Sequence, residues 1–348
     1  MREIWSDLKI WRAENRKIAL ATVVKVSGSS LRPEGSKMLL SGDGSISGSV
    51  TGGCVEGAVF EETQDVLKTG TPKLLAYGVT NEQAWDVGLS CGGAIEIFVE
   101  ALNSPAWQGI YPAIERCLEK NVLATLATVI AGEGLGNKML LPTDGDAVGS
   151  LGSSQADEEL ISSLPQDWAT HSPLQIQLSG GQVVFADFLV PPPRLIIVGA
   201  SHIAIPLVAL AKTLDYQTIV VDARSAFATR ERFPHADDLI VGWPSEVLAS
   251  LHLDAASCVV CLSHDDKQDN PALLYAITSP ARYIGALGSR VTNENRMVAL
   301  REEGADEAAL KRIHAPVGFK MGARTPAEIA LSIMAEIIAT GHGVDKLK

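Results

Sequence analysis

The sequence predicts an α/β protein in two parts. A C-terminal parallel sheet is covered by helices, and it follows an N-terminal mixed α+β domain containing a duplicated β unit. Three observations carry this. Downstream of residue 193, short and almost wholly apolar runs alternate with helical patterns, as strands buried on both faces do. Upstream, two blocks of sequence recur. Between them stand Pro191, Pro192 and Pro193, a run that cannot continue a helix or a central strand and that stiffens a linker. The expected domains are therefore 1–189 and 190–348.

Length and composition agree. A chain of 348 residues exceeds one typical core, so two domains are expected. With 46% apolar and 20% charged residues it has an ordinary globular composition. A net charge of −12 repels phosphate backbones, so nucleic acid is not an expected partner. No apolar run is long enough for a membrane span, and "MREIWSDLKIW" carries charges where a signal peptide would be apolar. Five cysteines form an odd, sparse set without disulfide-framework spacing. These features fit a reduced, cytoplasmic protein with no membrane partner.

In the N-terminal part, "LATVV" at Leu20 matches "LATVI" at Leu126, and "KMLLSGDGSISGS" at Lys37 matches "KMLLPTDGDAVGS" at Lys138. The first copy alone carries the longer loop "SGSSLRPEGS" and the segment "TGGC". A duplicated β unit is a structural solution, so parts present in one copy only are where function is expected. In "SVTGGCVEGAV" and the residues after it, the apolar positions Val55, Ala58, Val59, Val66 and Leu67 share one face, which predicts an amphipathic helix beginning at or just after Cys54. A thiol there would feel the positive end of the helix dipole. Gly52 and Gly53 would add backbone N–H groups able to form an anion-holding nest. Thiolates bind soft metals and carry sulfur, which makes Cys54 the candidate metal ligand. The plainer alternative is a small buried cysteine that packs a helix on a hairpin. Cys91, Gly92 and Gly93, in "LSCGGAIEI", repeat the pattern in mirror image before a strand, where a simple tight turn is the alternative.

In the C-terminal part the strands read "RLIIVGA", "QTIVVDA", "DLIVG", "SCVVCLS" and "RYIGALG". The last helix is signposted by Thr325 as N-cap, Pro326 at the first position and Glu328 at the third, a capping box, with Gly341 as the stop. "IIVGASHIAIPLVALA" follows a strand and opens a helix, where a dinucleotide fingerprint belongs. Gly199 fills the first glycine position, Ser201 stands at the second and Ala204 at the third. A side chain at the second hinders a pyrophosphate, while Asp222 ends the next strand where an acid can hold a ribose hydroxyl. The expected fold is Rossmann-like, with NAD binding weak. Beyond strand ends, "LSHDDKQDN" offers His264, Asp265 and Asp269, and "GALGSR" offers Gly288, Ser289 and Arg290; the alternative is that the acids cap the next helix. Cys258 and Cys261, three apart on a strand, face opposite sides and are expected to pack, as is Cys117 in a helical pattern.

These stretches together resemble the XdhC/CoxI family, accessory proteins of molybdenum hydroxylases such as xanthine dehydrogenase. The segment from Ser27 to Val59 and "LSCGGAIEIFVE" are similar to its N-terminal signatures. "VDARSAFATRERFP", "LSHDDKQD", "YIGALGSR" and "APVGFKMGARTPAEIALSIMAE" are similar to its C-terminal ones, in order and spacing. Ser201 stands where the family usually has glycine, and Lys320 and Met321 where aspartate and a branched aliphatic are usual. The resemblance implies a chaperone that binds molybdenum cofactor, protects it while a cysteine desulfurase supplies a sulfido ligand, and hands it to an apo molybdenum hydroxylase. It implies that Cys54 and Cys91 lie near the cofactor with the Arg32 loop beside them, and that Gly199, Ser201, His202, Asp222 and His264 surround a nucleotide-like site. A homodimer would shield such a guest between subunits. The alternative is an NAD(P)-dependent oxidoreductase acting through the C-terminal domain, and a third reading is a redox-responsive scaffold.

Overall fold

The computed structural model describes residues 1–28, 32–78, 93–165 and 172–344. The chain divides into two compact units, Met1–Pro191 and Pro192–Lys348. No helix among the described residues is long and apolar enough to cross a membrane.

The first unit is one supersecondary unit built twice. Its first copy runs α1 (Arg2–Ala13), β1 (Ile18–Ser27), β2 (Lys37–Ser41), β3 (Ile46–Gly48), α2 (Glu56–Thr69), β4 (Lys73–Tyr77) and β5 (Ala94–Ala101). Its second runs α3 (Ile110–Glu119), β6 (Ala124–Ala131), β7 (Lys138–Pro142), β8 (Val148–Ser150), α4 (Ser154–Ser163), β9 (Leu174–Gln177) and β10 (Val183–Leu189). Both make an antiparallel five-stranded sheet of the same order, β3-β2-β1-β5-β4 and β8-β7-β6-β10-β9. The duplication thus reaches well beyond the two blocks that match in sequence. It includes the left-handed asparagines that follow α1 and α3, Asn15 (φ 55°) and Asn121 (φ 54°).

Register explains why β1 and β6 read as continuous apolar runs. One face of each sheet is covered by its own helix: Val59 and Val66 of α2 pack on Ala19, Ala21 and Val23, and Leu160 of α4 packs on Ala127 and Val129. The other faces meet each other. Val24 and Phe98 lie against Ile130 and Phe185, and α1 and α3 close the same core with Trp5, Leu8, Trp11, Ile110 and Ile114.

Two buried ion pairs cross this shared face reciprocally. Lys37 Nζ lies 2.6 Å from Asp187 Oδ2, approaching off the hydrogen-bonding direction, and Lys138 Nζ lies 2.7 Å from Glu100 Oε1. Within each sheet the lysine is paired with a threonine and the acid with a leucine at matching positions. Lys37 is opposite Thr22 and Glu100 opposite Leu20, while Lys138 is opposite Thr128 and Asp187 opposite Leu126. Each lysine therefore reaches the acid of the other copy, the reciprocity that marks a two-fold relation. Burial pushes the Lys138 amine down while Glu100 pushes it up. Lys138 also donates to Thr128 Oγ1 at 3.0 Å, and Trp107 Nε1 donates to Glu100 Oε2 at 3.0 Å. Gly35 and Gly136 repeat the reciprocity against Pro173 and Pro72.

The second unit contains β11 (Arg194–Val198), α5 (Ala204–Thr213), β12 (Gln217–Asp222), β13 (Asp238–Val241), α6 (Pro244–Ser250), β14 (Ser257–Cys261), α7 (Asp266–Thr278), β15 (Tyr283–Ala286), α8 (Arg290–Glu302), α9 (Glu307–Leu310), β16 (Ile313–His314) and α10 (Pro326–Gly341). All strand pairs are parallel, in the order β13-β12-β11-β14-β15-β16. This is a doubly wound Rossmann sheet whose direction of winding reverses between β11 and β14. Helices α5 and α10 cover one face, and α6 and α7 the other. Cys258 faces the first core and Cys261 the second, so both are free and buried, and burial pushes both thiols up. The capping box at Thr325 and Glu328 is formed. The stop differs from expectation: Gly341 still lies in the helix, His342 is the C-cap, and Gly343 takes the left-handed turn at φ 69°.

Candidate functional site

The loop between β3 and α2 is organised around Glu56. Helix α2 begins at Glu56 with Val55 as N-cap, so Cys54 stands one residue ahead of the cap rather than at it. From this first helical position the Glu56 carboxylate turns back over the preceding loop. Its Oε1 accepts from Ser49 Oγ (2.7 Å), Thr51 N–H (2.9 Å) and Gly52 N–H (3.0 Å). Its Oε2 accepts from Thr51 Oγ1 (2.6 Å), Gly53 N–H (2.9 Å) and Val55 N–H (3.2 Å). Gly52 (φ 84°) and Gly53 (φ 119°) take the left-handed conformations that turn their N–H groups inward. The expected anion nest therefore exists, and its anion belongs to the chain itself. Burial pushes the Glu56 carboxyl up, but the hydroxyls of Thr51 and Ser49 and the Thr51 N–H outweigh it and hold the group at about 2.

Cys54 is half-buried and free, its side chain against the α2 core. Its N–H donates to Thr51 Oγ1 at 3.1 Å. Arg32 joins the loop through Ser49, donating from Nε to the Ser49 carbonyl at 3.2 Å and from Nη2 to Glu3 at 2.5 Å. The structure thus brings Arg32, Gly52, Gly53 and Cys54 together. Cys91 and Gly92 lie outside the described residues, and Gly93 is buried just before β5. The thiol suits a soft metal, but the nest N–H groups are committed to Glu56 and offer an anionic guest nothing while that carboxylate stays in place. Among the described residues, no three His, Cys, Asp or Glu side chains gather into a metal-holding group.

The second copy supplies a comparison within the same unit. Met38 pairs with Gly48, and Met139 with Gly149; that register sets Gln155 opposite Cys54 and Asp157 opposite Glu56. Asp157 accepts one loop N–H, that of Leu151 at 2.7 Å, and Ser153 caps α4. The thiol and the full clasp occur together, in one copy.

In the second unit, the turn after β11 is shaped by the chain rather than left open for a ligand. A Cβ on Gly199 (φ 100°) would lie 2.5 Å from the Ser263 backbone, so the glycine permits a close crossing of two loops. Ser201 Oγ is buried without a partner, and His202 is exposed. Asp222 is fully buried. Its Oδ1 accepts from Arg224 N–H and Nε (2.9 Å each), and its Oδ2 from Ala200 N–H and Arg224 Nη2 (2.8 Å each). Burial pushes Asp222 up, and Arg224 with these N–H groups more than reverses it. The expected ribose-holding role of Asp222 has no oxygen left to serve it; the residue ties the first turn of the domain to the second.

Asp265 caps α7, accepting Lys267 N–H at 3.0 Å, which is the plainer alternative for that acid. Asp269 is buried and accepts Ser263 Oγ at 2.6 Å. His264 is exposed in a left-handed conformation (φ 58°). It lines a recess of about 250 Å³ beyond β14 and β15 with Asp266, Gly288, Ser289, Thr292 and Arg296. Ser289 caps α8, and Arg290 is its exposed first residue. Arg296, which sequence reasoning passed over, is the buried floor of that recess, bonded to Asn270, Leu287, Asn293 and Asp266. It lies mid-helix in a run of polar residues, and nothing in that run distinguishes it from a solvated arginine.

Known proteins fit this layout. The profile of the XdhC and CoxI family matches residues 11–78, and that of the XdhC Rossmann domain matches residues 195–337. A protein of Bacillus subtilis (strain 168) described as a probable xanthine dehydrogenase subunit is 30% identical over 331 residues, 94% of each chain. The chain belongs to the XdhC/CoxI family. Another relative, the molybdenum cofactor insertion chaperone PaoD of Escherichia coli (strain K12), is 28% identical over 318 residues, 91% of this chain and 81% of PaoD. A crystal structure described as a xanthine dehydrogenase of Bacillus halodurans has the same fold, with a TM-score of 0.79 at 24% identity, covering 97% of this chain and 95% of that one. As an XdhC-type protein, the chain places its family N-terminal match on the Glu56–Cys54 loop and its Rossmann match on the parallel sheet.

Proposed function

We propose that this protein is an accessory factor that binds molybdenum cofactor, presents it for sulfuration and assists its insertion into a molybdenum hydroxylase of the xanthine dehydrogenase type. The observation that carries this reading is Cys54, a half-buried free thiol on a hydrogen-bonded loop found in one copy of the duplicated unit and replaced by Gln155 in the other. A thiol so placed supplies the soft donor that molybdenum takes. The family relationship and the name of the PaoD relative support the same guest. Cys91 and the Arg32 loop belong to this reading as neighbours of the guest. The partners are an apo molybdenum hydroxylase and a cysteine desulfurase, the setting is the cytoplasm, and a homodimer would shelter the guest.

The oxidoreductase alternative gains support from the strand order alone; Asp222 is spent within the chain and Ser201 crowds the turn. Losing good contacts at those places costs roughly 1–3 kcal/mol, about 5- to 150-fold in affinity. The test mixes the protein with molybdenum cofactor and follows absorbance and released pterin fluorescence, beside a titration with NAD(H). Cofactor retention with NAD(H) affinity in the high micromolar range or weaker is expected. Low-micromolar NADH binding without cofactor retention would overturn the reading.

A further inference from the structure

We propose that Glu56 is the positioning residue of the Cys54 loop: a built-in carboxylate that fixes the thiol in place without touching the guest. The inference rests on reading Cys54 as the guest-facing thiol. Glu56 collects three donors on each oxygen, drawn from Ser49, Thr51, Gly52, Gly53 and Val55. The residues on both sides of Cys54 thus donate to it directly, and the Cys54 N–H reaches it through the Thr51 hydroxyl, which accepts from Cys54 at 3.1 Å and donates to Glu56 at 2.6 Å. Charge-assisted bonds of this kind are short and directional, and a carboxylate in the first helical turn is further favoured by the helix dipole. The loop has no strand pairing of its own, so this carboxylate supplies the order that a ladder would.

The second copy shows that the clasp is not needed merely to join a strand to a helix. There Asp157 holds the Leu151 N–H, Ser153 supplies the cap, and a sound α4 follows with glutamine in place of the thiol. The two-glycine, two-hydroxyl clasp accompanies Cys54. A brace needed for folding alone would show itself in melting temperature and nowhere else; a positioning group, whatever stability it adds, also changes the chemistry of the thiol in the folded variant.

The test uses the full chain as wild type, Glu56→Gln, Glu56→Asp and Cys54→Ser. Iodoacetamide alkylation of Cys54 is followed by peptide mass spectrometry across a pH series, and retention of added molybdenum cofactor is measured in parallel. Glutamine keeps the shape but replaces one accepting oxygen by an NH₂ group that accepts nothing. Glu56→Gln is expected to alkylate at least about threefold faster, with the midpoint of its pH profile displaced, and to retain about tenfold less cofactor. Glu56→Asp, still acceptor-only, is expected to fall between it and wild type. Alkylation within about twofold of wild type at every pH, for Glu56→Gln or, should that variant not fold, for Glu56→Asp, overturns the proposal. A changed Cys54 profile with cofactor retention untouched in both Glu56→Gln and Cys54→Ser upholds the positioning role and overturns the reading of Cys54 as the guest's ligand.

Discussion

Serine in place of Cys54 keeps the shape of the side chain and removes the soft donor, so the fold and the guest should respond differently. Because the thiol is half-buried and its N–H is held independently by Thr51, Cys54→Ser is expected to cost on the order of 1 kcal/mol, a few degrees in melting temperature. Its loss of cofactor retention should be much larger, and in the wild type Cys54 should alkylate faster than buried Cys258 and Cys261. Early melting with normal retention would make the residue packing alone. The Glu56 clasp has its own pH signature. A carboxyl held at about 2 against an ordinary 4.5 contributes stability that is fully present above about pH 4.5 and is lost as pH falls towards 2. The difference in melting temperature between wild type and Glu56→Gln should therefore shrink through that acid window and be constant at neutral pH. The thiol and its glycines stand out in the sequence because a cysteine beside a glycine pair ahead of a helical pattern is unusual. Glu56 does not, since a glutamate in a first helical turn reads as an ordinary solvated charge. The signal lay in Ser49 and Thr51, two hydroxyls placed ahead of an acid.

At the scale of elements, periodicity carried the reading well where a strand or helix has one kind of neighbour. The parallel strands, the capping box of α10 and the split of Cys258 and Cys261 across β14 all follow from local pattern. What local pattern lacks is the identity of a partner across a sheet. Lys37 and Lys138 stand in matching blocks as plain strand lysines, and nothing near them announces Asp187 and Glu100. Nor does the glycine-rich turn reveal that Gly199 serves Ser263, or that Asp222 is consumed by Arg224 and Ala200. Breaking a buried pair by removing one member leaves a charge without compensation, at about 3–5 kcal/mol. Lys138→Met should thus destabilise the first unit by about that amount, read by chemical denaturation. Adding Glu100→Leu to it should restore much of the loss, although Trp107 then gives up its acceptor. A double variant no more stable than Lys138→Met would count against the ion pair as the source.

For the whole molecule, the two units meet the proline run at Pro191 to Pro193, between the end of β10 at Leu189 and the start of β11 at Arg194. Pro191 and Pro192 belong to no strand and Val190 is exposed, while the Pro193 carbonyl already accepts the Gln217 N–H at 2.9 Å. Limited proteolysis is expected to cut between about residue 185 and residue 195 and to leave two folded fragments. Preferential cutting inside β2 or β3 would instead show that the first unit opens before the linker does. The split between the two compact units falls in the run of three prolines, which interrupts every regular pattern at once. The full extent of the duplication was not legible, because helices α1 and α3 kept their places, their closing asparagines and one matching isoleucine, Ile4 and Ile110, while their other apolar residues changed identity.

The reciprocal lysine pairs also bear on how two copies of one unit came to differ. Their shared face is locked from both sides: an altered strand in one copy must suit the acid, the lysine and the phenylalanine of the other. Divergence is thereby driven outward, to loops and helix starts that no sister copy constrains. The segment from Ser49 to Glu56 is such a place, and its counterpart from Ser150 to Asp157 shows what the same stretch looks like without a thiol. Both copies supply the scaffold, which leaves the loops of one at liberty to specialise.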